Sequence, residues 1–190
     1  SQDEYQLLAS GRDGLSMAID YLGLMPGDQV LFPAYLCDSV IRPFIDFGIT
    51  PVFYHLNGIL EIDESDIKSK ISLATKALLI IHYFGMPQSA VDRIQRDYPT
   101  LRLIHDCSHS ALSLWKNKWL SGSGVVIVAS LRKLLPVPDG GVFLAMGRPK
   151  RPLREPRFSL AYNLHLFYRW SGGMMKHFWL RWPLFPKEWF

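Results

Sequence analysis

Four side chains capable of proton and carbonyl chemistry stand just beyond short apolar runs. Asp106 directly follows Leu101-Arg102-Leu103-Ile104-His105, and His109 lies three residues further on. Ser130 follows the run Val125 to Ala129. Lys133 comes three residues after it and leads into Pro136-Val137-Pro138-Asp139-Gly140-Gly141. A further segment, Ser10-Gly11-Arg12-Asp13-Gly14, reads as the glycine-bearing start of a helix. An amine can form a Schiff base with an aldehyde, and a carboxylate can keep a ring nitrogen protonated. Free backbone amides at a helix start can cradle a phosphate. Those three needs are the needs of pyridoxal phosphate. Each residue also has a plain reading: a loop lysine is commonly a solvated charge, and an acid after a strand is commonly a turn or a cap. One glycine at a helix start is weak as a phosphate site. His105, on a strand-like run, reads as a packed structural histidine.

The elements that must position these groups follow from periodicity. Leu15, Ala18, Ile19 and Leu22 recur at helical spacing, which predicts a helix from Asp13 to Leu24 before Pro26-Gly27-Asp28. Gln29 to Phe32 reads as a strand, Ser39 to Phe47 as a helix, Thr50 to His55 as a strand and Asp63 to Lys70 as a short polar helix. Ala77 to His82 is an apolar run without alternation, as a strand buried on both faces of a parallel sheet requires. A helix from Gln88 to Asp97 and strands at Leu101–His105, Val125–Ala129 and Gly141–Ala145 complete the set. Alternating strands and helices predict an α/β fold, a mostly parallel sheet with helices on both faces. Ligands in such sheets sit beyond the carboxyl ends of the strands, where the candidate residues stand.

Composition bounds the class. The 190 residues are 48% hydrophobic and 20% charged, enough for one domain with a proper core and unlike a disordered chain. Cys37 and Cys107 are the only cysteines, so no disulfide framework is expected and a reducing compartment fits. No apolar stretch of about 18 residues occurs, and the polar, acidic Ser1-Gln2-Asp3-Glu4 does not read as a signal peptide. A soluble, cytoplasmic protein is expected, and no metal site is read. The net charge of +4 conceals a split: residues 1–147 carry −3, and residues 148–190 carry +7 with 11 of the 25 aromatic residues. Two units follow, a cofactor-binding α/β domain at 1–147 and a basic, aromatic-rich arm at 148–190. A helix is expected from Phe158 to Trp170. Basic residues interleaved with Trp and Phe can lie on a membrane surface, but a packing arm is the preferred reading. No nucleic-acid module is visible.

The segments SGRDGLSMAIDYLGLMPGDQVLFPAY, PVFYHLNGILEIDESDI, ALLIIHYFGMPQ, LIHDCSHS and VASLRKLLPVPDGGVFLA resemble, in that order, the DegT-type aminotransferases. These are fold type I pyridoxal-phosphate enzymes that aminate nucleotide-linked keto sugars. The resemblance runs from Ala9 to Ala145. It implies that Lys133 is the Schiff-base lysine, seven residues before Gly140-Gly141, and the base that moves the substrate proton. It implies that Asp106 pairs with the pyridine nitrogen and that His109 contacts the phenolic oxygen. Ser130 and the backbone around Gly11 and Arg12 match the phosphate cradle. Relatives place an aromatic residue on the cofactor ring where Cys37 stands here, which leaves Tyr35 as the stacking candidate. Family members run well past 350 residues, so the chain looks truncated, with the small C-terminal domain absent. The implied activity is amino transfer from an amino acid, glutamate, to a nucleotide-linked keto sugar by a homodimer. A different pyridoxal-phosphate reaction such as dehydration, and a truncated, non-catalytic partner subunit, are the alternatives.

Overall fold

The computed structural model describes residues 3–110, 125–137 and 139–146, with residues 149, 153, 167, 168 and 171 beyond them. Runs rich in Val, Ile and Leu form its central strands: β2 (Gln29–Pro33), β4 (Thr75–Ile81), β5 (Arg102–Asp106) and β6 (Val125–Ser130). These four lie parallel, and β3 (Thr50–Tyr54) continues the parallel set outside β2. β7 (Gly141–Met146) turns back antiparallel to β6, and β1 (Asp3–Leu8) pairs antiparallel with β7. The seven-stranded order is β1-β7-β6-β5-β4-β2-β3. The α/β reading with a mostly parallel sheet holds.

Helices cover both faces. α1 (Gly11–Leu22) and α2 (Asp38–Phe47) bury Leu15, Ile19, Leu22, Val40 and Phe44 against Phe32, Leu79, Ile104 and Val128. On the opposite face α3 (Glu64–Lys70) and α4 (Val91–Asp97) bury Ile67 and Ile94 against Leu31, Leu78, Ile80 and Leu103. Each fully buried aliphatic side chain contributes about 1.5–3 kcal/mol. Because side chains alternate along a strand, Asp106 shares the α1–α2 face with Ile104, and His105 shares the α3–α4 face with Leu103.

Some boundaries move, each for a local reason. α1 starts at Gly11 rather than Asp13, because Ser10 Oγ accepts the amide of Asp13 at 3.4 Å and caps the helix there. It stops at Leu22, where Gly23 adopts φ 63° and returns its amide to the Ile19 and Asp20 carbonyls. α4 begins at Val91 rather than Gln88. The Gln88 side chain is occupied elsewhere, accepting from the amide of Ile62 at 3.0 Å and donating to the carbonyl of Leu60 at 2.9 Å. Strand β1 is additional to the elements expected. The expected helix from Phe158 to Trp170 lies outside the described residues, save Phe167 and Tyr168, which are exposed. Leu153 packs against the α1–α2 core.

Candidate active site

Three connections at one edge of the sheet build the site. Strand β5 ends at Asp106, whose carboxylate is buried and accepts the amide of Ser108 at 2.9 Å. The chain then turns through Cys107 to Ser110, closed by a 2.9 Å bond from the Ser110 amide to the Cys107 carbonyl. That turn brings His109 back beside the strand end. The neighbouring parallel strand β6 ends at Ser130, also buried, and passes into a single 3-10 turn, Leu131–Lys133. The turn is anchored by the Leu131 amide on the Gly140 carbonyl, 2.9 Å away. Lys133 Nζ thereby stands 3.2 Å from His109 Nε2.

Helix α1 enters from the same side. An added Cβ on Gly11 would lie 3.4 Å from the Ser130 Cβ, and one on Gly141 would lie 2.2 Å from the Ser10 carbonyl oxygen. The helix start is thus set hard against the ends of β6 and β7, a closeness that only glycine at 141 permits. Arg12, one residue into the helix, is exposed. Tyr35 follows β2 and is exposed, with its ring centroid 5.9 Å from that of Tyr83 and its carbonyl accepting from the Tyr83 hydroxyl.

The electrostatics agree with this grouping. Burial, helped by the Lys133 ammonium, lowers the His109 pKa, and the Asp106 carboxylate opposes them. His109 is therefore neutral near pH 7, its Nε2 free to accept from Lys133 and its proton left on Nδ1, which is buried without a partner among the described residues. Burial raises the Tyr83 pKa, with Asp106 adding to the effect. The structure therefore gathers Asp106, His109, Ser130, Lys133 and Gly11 at adjoining element ends and sets Tyr35 at the rim, held by Tyr83. Arg12 stands in the first turn of α1 with its side chain exposed.

Two residues, Phe84 and Tyr83, escaped the sequence reading of roles, and Cys37 was read only as standing at the ring-stacking position. Phe84 has a left-handed backbone (φ 51°, ψ 29°) and stacks on His109 at 5.8 Å and 11°. Tyr83 secures the Tyr35 loop from below. Cys37, at the start of α2, is exposed, and its thiol pKa is lowered by the Ser39 hydroxyl and amide, with Lys133 adding to the effect. The first two lie just after β4, so their position at a strand end was the available signal.

The mostly parallel sheet with helices on both faces is the fold of the fold type I pyridoxal-phosphate enzymes, and a buried acid, a lysine and a neutral histidine stand together at the carboxyl ends of its adjacent strands. Residues 7–145 match the DegT/DnrJ/EryC1/StrS aminotransferase family, and the chain belongs to that family. It is 28% identical over 144 residues to GDP-perosamine synthase of Vibrio cholerae, covering 73% of this chain and 39% of that relative. The chain thus spans about two-fifths of the length of the curated relatives it matches. Among solved structures, a single-residue mutant of GDP-4-keto-6-deoxymannose-3-dehydratase (ColD), with bound GDP-perosamine, superposes with a TM-score of 0.63 at 21% identity. That match covers 74% of this chain and 39% of the other. NtdA from Bacillus subtilis, solved with its bound cofactor PMP, gives 0.60 at 19%, over 76% and 33%.

Pyridoxal phosphate is the cofactor that belongs with this family and fold. The residues present fit it. The acid is buried on the face from which α1 approaches, the amine is within reach of a neutral imidazole, and the helix start is pressed onto Ser130. Among the described residues no helix is long and apolar enough to cross a membrane.

Proposed function

We propose that this chain carries the cofactor site of a pyridoxal-phosphate-dependent aminotransferase that moves an amino group from an amino acid, glutamate, to a nucleotide-linked keto sugar. The observation that carries the reading is the meeting of Lys133 Nζ and His109 Nε2 at 3.2 Å beside the buried Asp106. The sugar class is supported by the GDP-perosamine synthases among the relatives and by the GDP-perosamine bound to the ColD mutant.

When bound, the cofactor supplies a protonated pyridine ring that draws in the electron pair left as a proton leaves the substrate carbon. Asp106 holds the proton on that ring nitrogen, its carboxylate shielded from water by burial. Lys133 Nζ is the amine that would hold the cofactor's aldehyde group, and it is placed to act as the base that takes and returns the substrate proton. His109, kept neutral, accepts a hydrogen bond at Nε2 from that amine and would stand toward the phenolic oxygen of the bound cofactor. Ser130 Oγ and the amides of Gly11 and Arg12 bind the phosphate. Tyr35 flanks the ring. The working unit on this reading is a cytoplasmic homodimer of the 1–147 domain, with 148–190 as a packing arm.

The experiment is direct. Purified chain mixed with pyridoxal phosphate turns yellow, and borohydride fixes one stable adduct, mapped by mass spectrometry to Lys133. Lys133→Ala removes that adduct. A chain that stays colourless, or a label spread evenly over the other lysines, identifies a non-catalytic partner subunit instead.

A further inference from the structure

Behind the candidate site, on the other face of the sheet, two histidines meet edge to edge in the interior. His82 directly follows β4 and His105 is the penultimate residue of β5, with ring centroids 5.2 Å apart and planes 13° from parallel. His82 Nε2 and His105 Nδ1 are 2.9 Å apart, and both residues are essentially without solvent contact. The amide of Gln88 points at His82 Nδ1 from 3.4 Å. An N–H can only donate, so His82 Nδ1 accepts, its proton sits on Nε2, and that proton is given to His105 Nδ1. His105 then carries its own proton on Nε2, a buried atom with no partner among the described residues. Burial lowers the pKa of both rings.

We propose that the His82–His105 pair is a positioning element of the candidate site, setting where the Asp106 carboxylate and the Phe84 ring stand. The inference rests on the function proposed above. Its geometry is a two-point clamp. The backbone amide of His82 donates to the carbonyl of Asp106 at 3.1 Å, while the His82 ring grips the side chain of the residue just before Asp106. The ends of β4 and β5 are thereby joined through both main chain and side chain at the position where the acid must be held. The same ring governs the turn that follows. Held at Nδ1 by Gln88 and at Nε2 by His105, it closes residues 82–88 into a loop whose Phe84 has the left-handed backbone and stacks on His109. His109 in turn meets Lys133. Packing alone does not account for the pair. Apolar side chains would fill the space without desolvating four ring nitrogens and without leaving His105 Nε2 unpartnered among the described residues.

Two measurements on the cofactor-free chain test this. Long-range proton–nitrogen spectra at neutral pH should show His82 and His105 uncharged, with both Nδ1 atoms unprotonated; an imidazolium or an Nδ1–H form at either residue overturns the clamp. His105→Asn keeps an acceptor near the Nδ1 position, whereas His105→Phe keeps a flat ring without one. The Asp106 carboxyl carbon and His109 ring resonances should move in His105→Phe and return in His105→Asn, whatever the urea midpoints of the two variants. Equal shifts in both, or none in either, overturn the proposal. Pyridoxal phosphate should bind His105→Phe about tenfold more weakly than wild type and His105→Asn within about threefold. If the native chain takes up no cofactor, the proposed function falls while the two spectral results still decide the clamp. If His105→Phe does not fold, the native tautomers and the His105→Asn resonances decide it.

Discussion

Lys133, Asp106, His109 and Ser130 were legible as candidates because a strand end is itself a sequence signal. Where an apolar run stops at a polar residue, the backbone has left the core and the side chain stands at the sheet edge. Phe84 and the histidine clamp were not legible. No local pattern announces φ 51° at a phenylalanine, and His82 and His105 become partners only through the pairing of β4 with β5. The two thiols give one test at this scale. Cys37 is exposed with its pKa lowered, and Cys107 is buried with its pKa raised by desolvation. Iodoacetamide near neutral pH should modify Cys37 in the native chain and spare Cys107, as peptide mass mapping would show. Lys133→Met should slow the Cys37 reaction, because that lysine's charge favours the thiolate. A second test concerns acid. Burial takes the His82 pKa from 6.5 to about 4 and moves His105 the same way. The unfolded chain therefore binds these protons before the folded chain does. The stability is fully present above pH 6.5 and is lost as pH falls from there toward 4, by about 3 kcal/mol for His82 alone. Urea midpoints measured downward from pH 8 should drop across that window, and His105→Asn should reduce the drop.

The elements read best from sequence were those whose stability is local. α2 and α3 were located within a residue; the structure shows α2 burying Val40, Ile41 and Phe44 and α3 capped by Asp63, which accepts from the amides of Ser65 and Asp66. β1 was missed because its partner lies far along the chain and its own text, Asp-Glu-Tyr-Gln-Leu-Leu, begins polar. α4 was overextended because Gln88 fits a helix by propensity but is claimed by the Leu60–Ile62 loop. The junction of α1 with β7 carries the prediction at this scale. Gly141→Ala would place a methyl group 2.2 Å from the Ser10 carbonyl oxygen, a backbone atom that cannot rotate away. The helix start must retreat, at a cost of about 1–3 kcal/mol. A urea melt should show the loss, and weaker uptake of pyridoxal phosphate should accompany it, since the same retreat withdraws the Gly11 and Arg12 amides.

Among the described residues, one edge strand of the sheet carries exposed apolar side chains. On β1, Tyr5 and Leu7 are 60% and 57% exposed, and they pair in register with the half-buried Leu144 and Val142. That apolar strip on an edge strand invites a partner. Sedimentation at low micromolar concentration should find the chain self-associated, and Tyr5→Lys combined with Leu7→Lys should return it to the mass of one chain. A wild-type protein that sediments as a monomer would remove the homodimer from the proposed function. The same strand has a consequence for biosynthesis. Asp3–Leu8 leaves the ribosome ahead of the other six strands, and its sheet partner Gly141–Met146 follows all of them. At about 5–20 residues per second, the interval between them is roughly 7–28 s. Throughout it Tyr5 and Leu7 are tethered to a growing chain without their paired strand. On a polysome, where identical nascent chains crowd together, the nearest available β7 can belong to the neighbouring copy, and an exchange of β1 strands between siblings is the error this topology exposes the protein to.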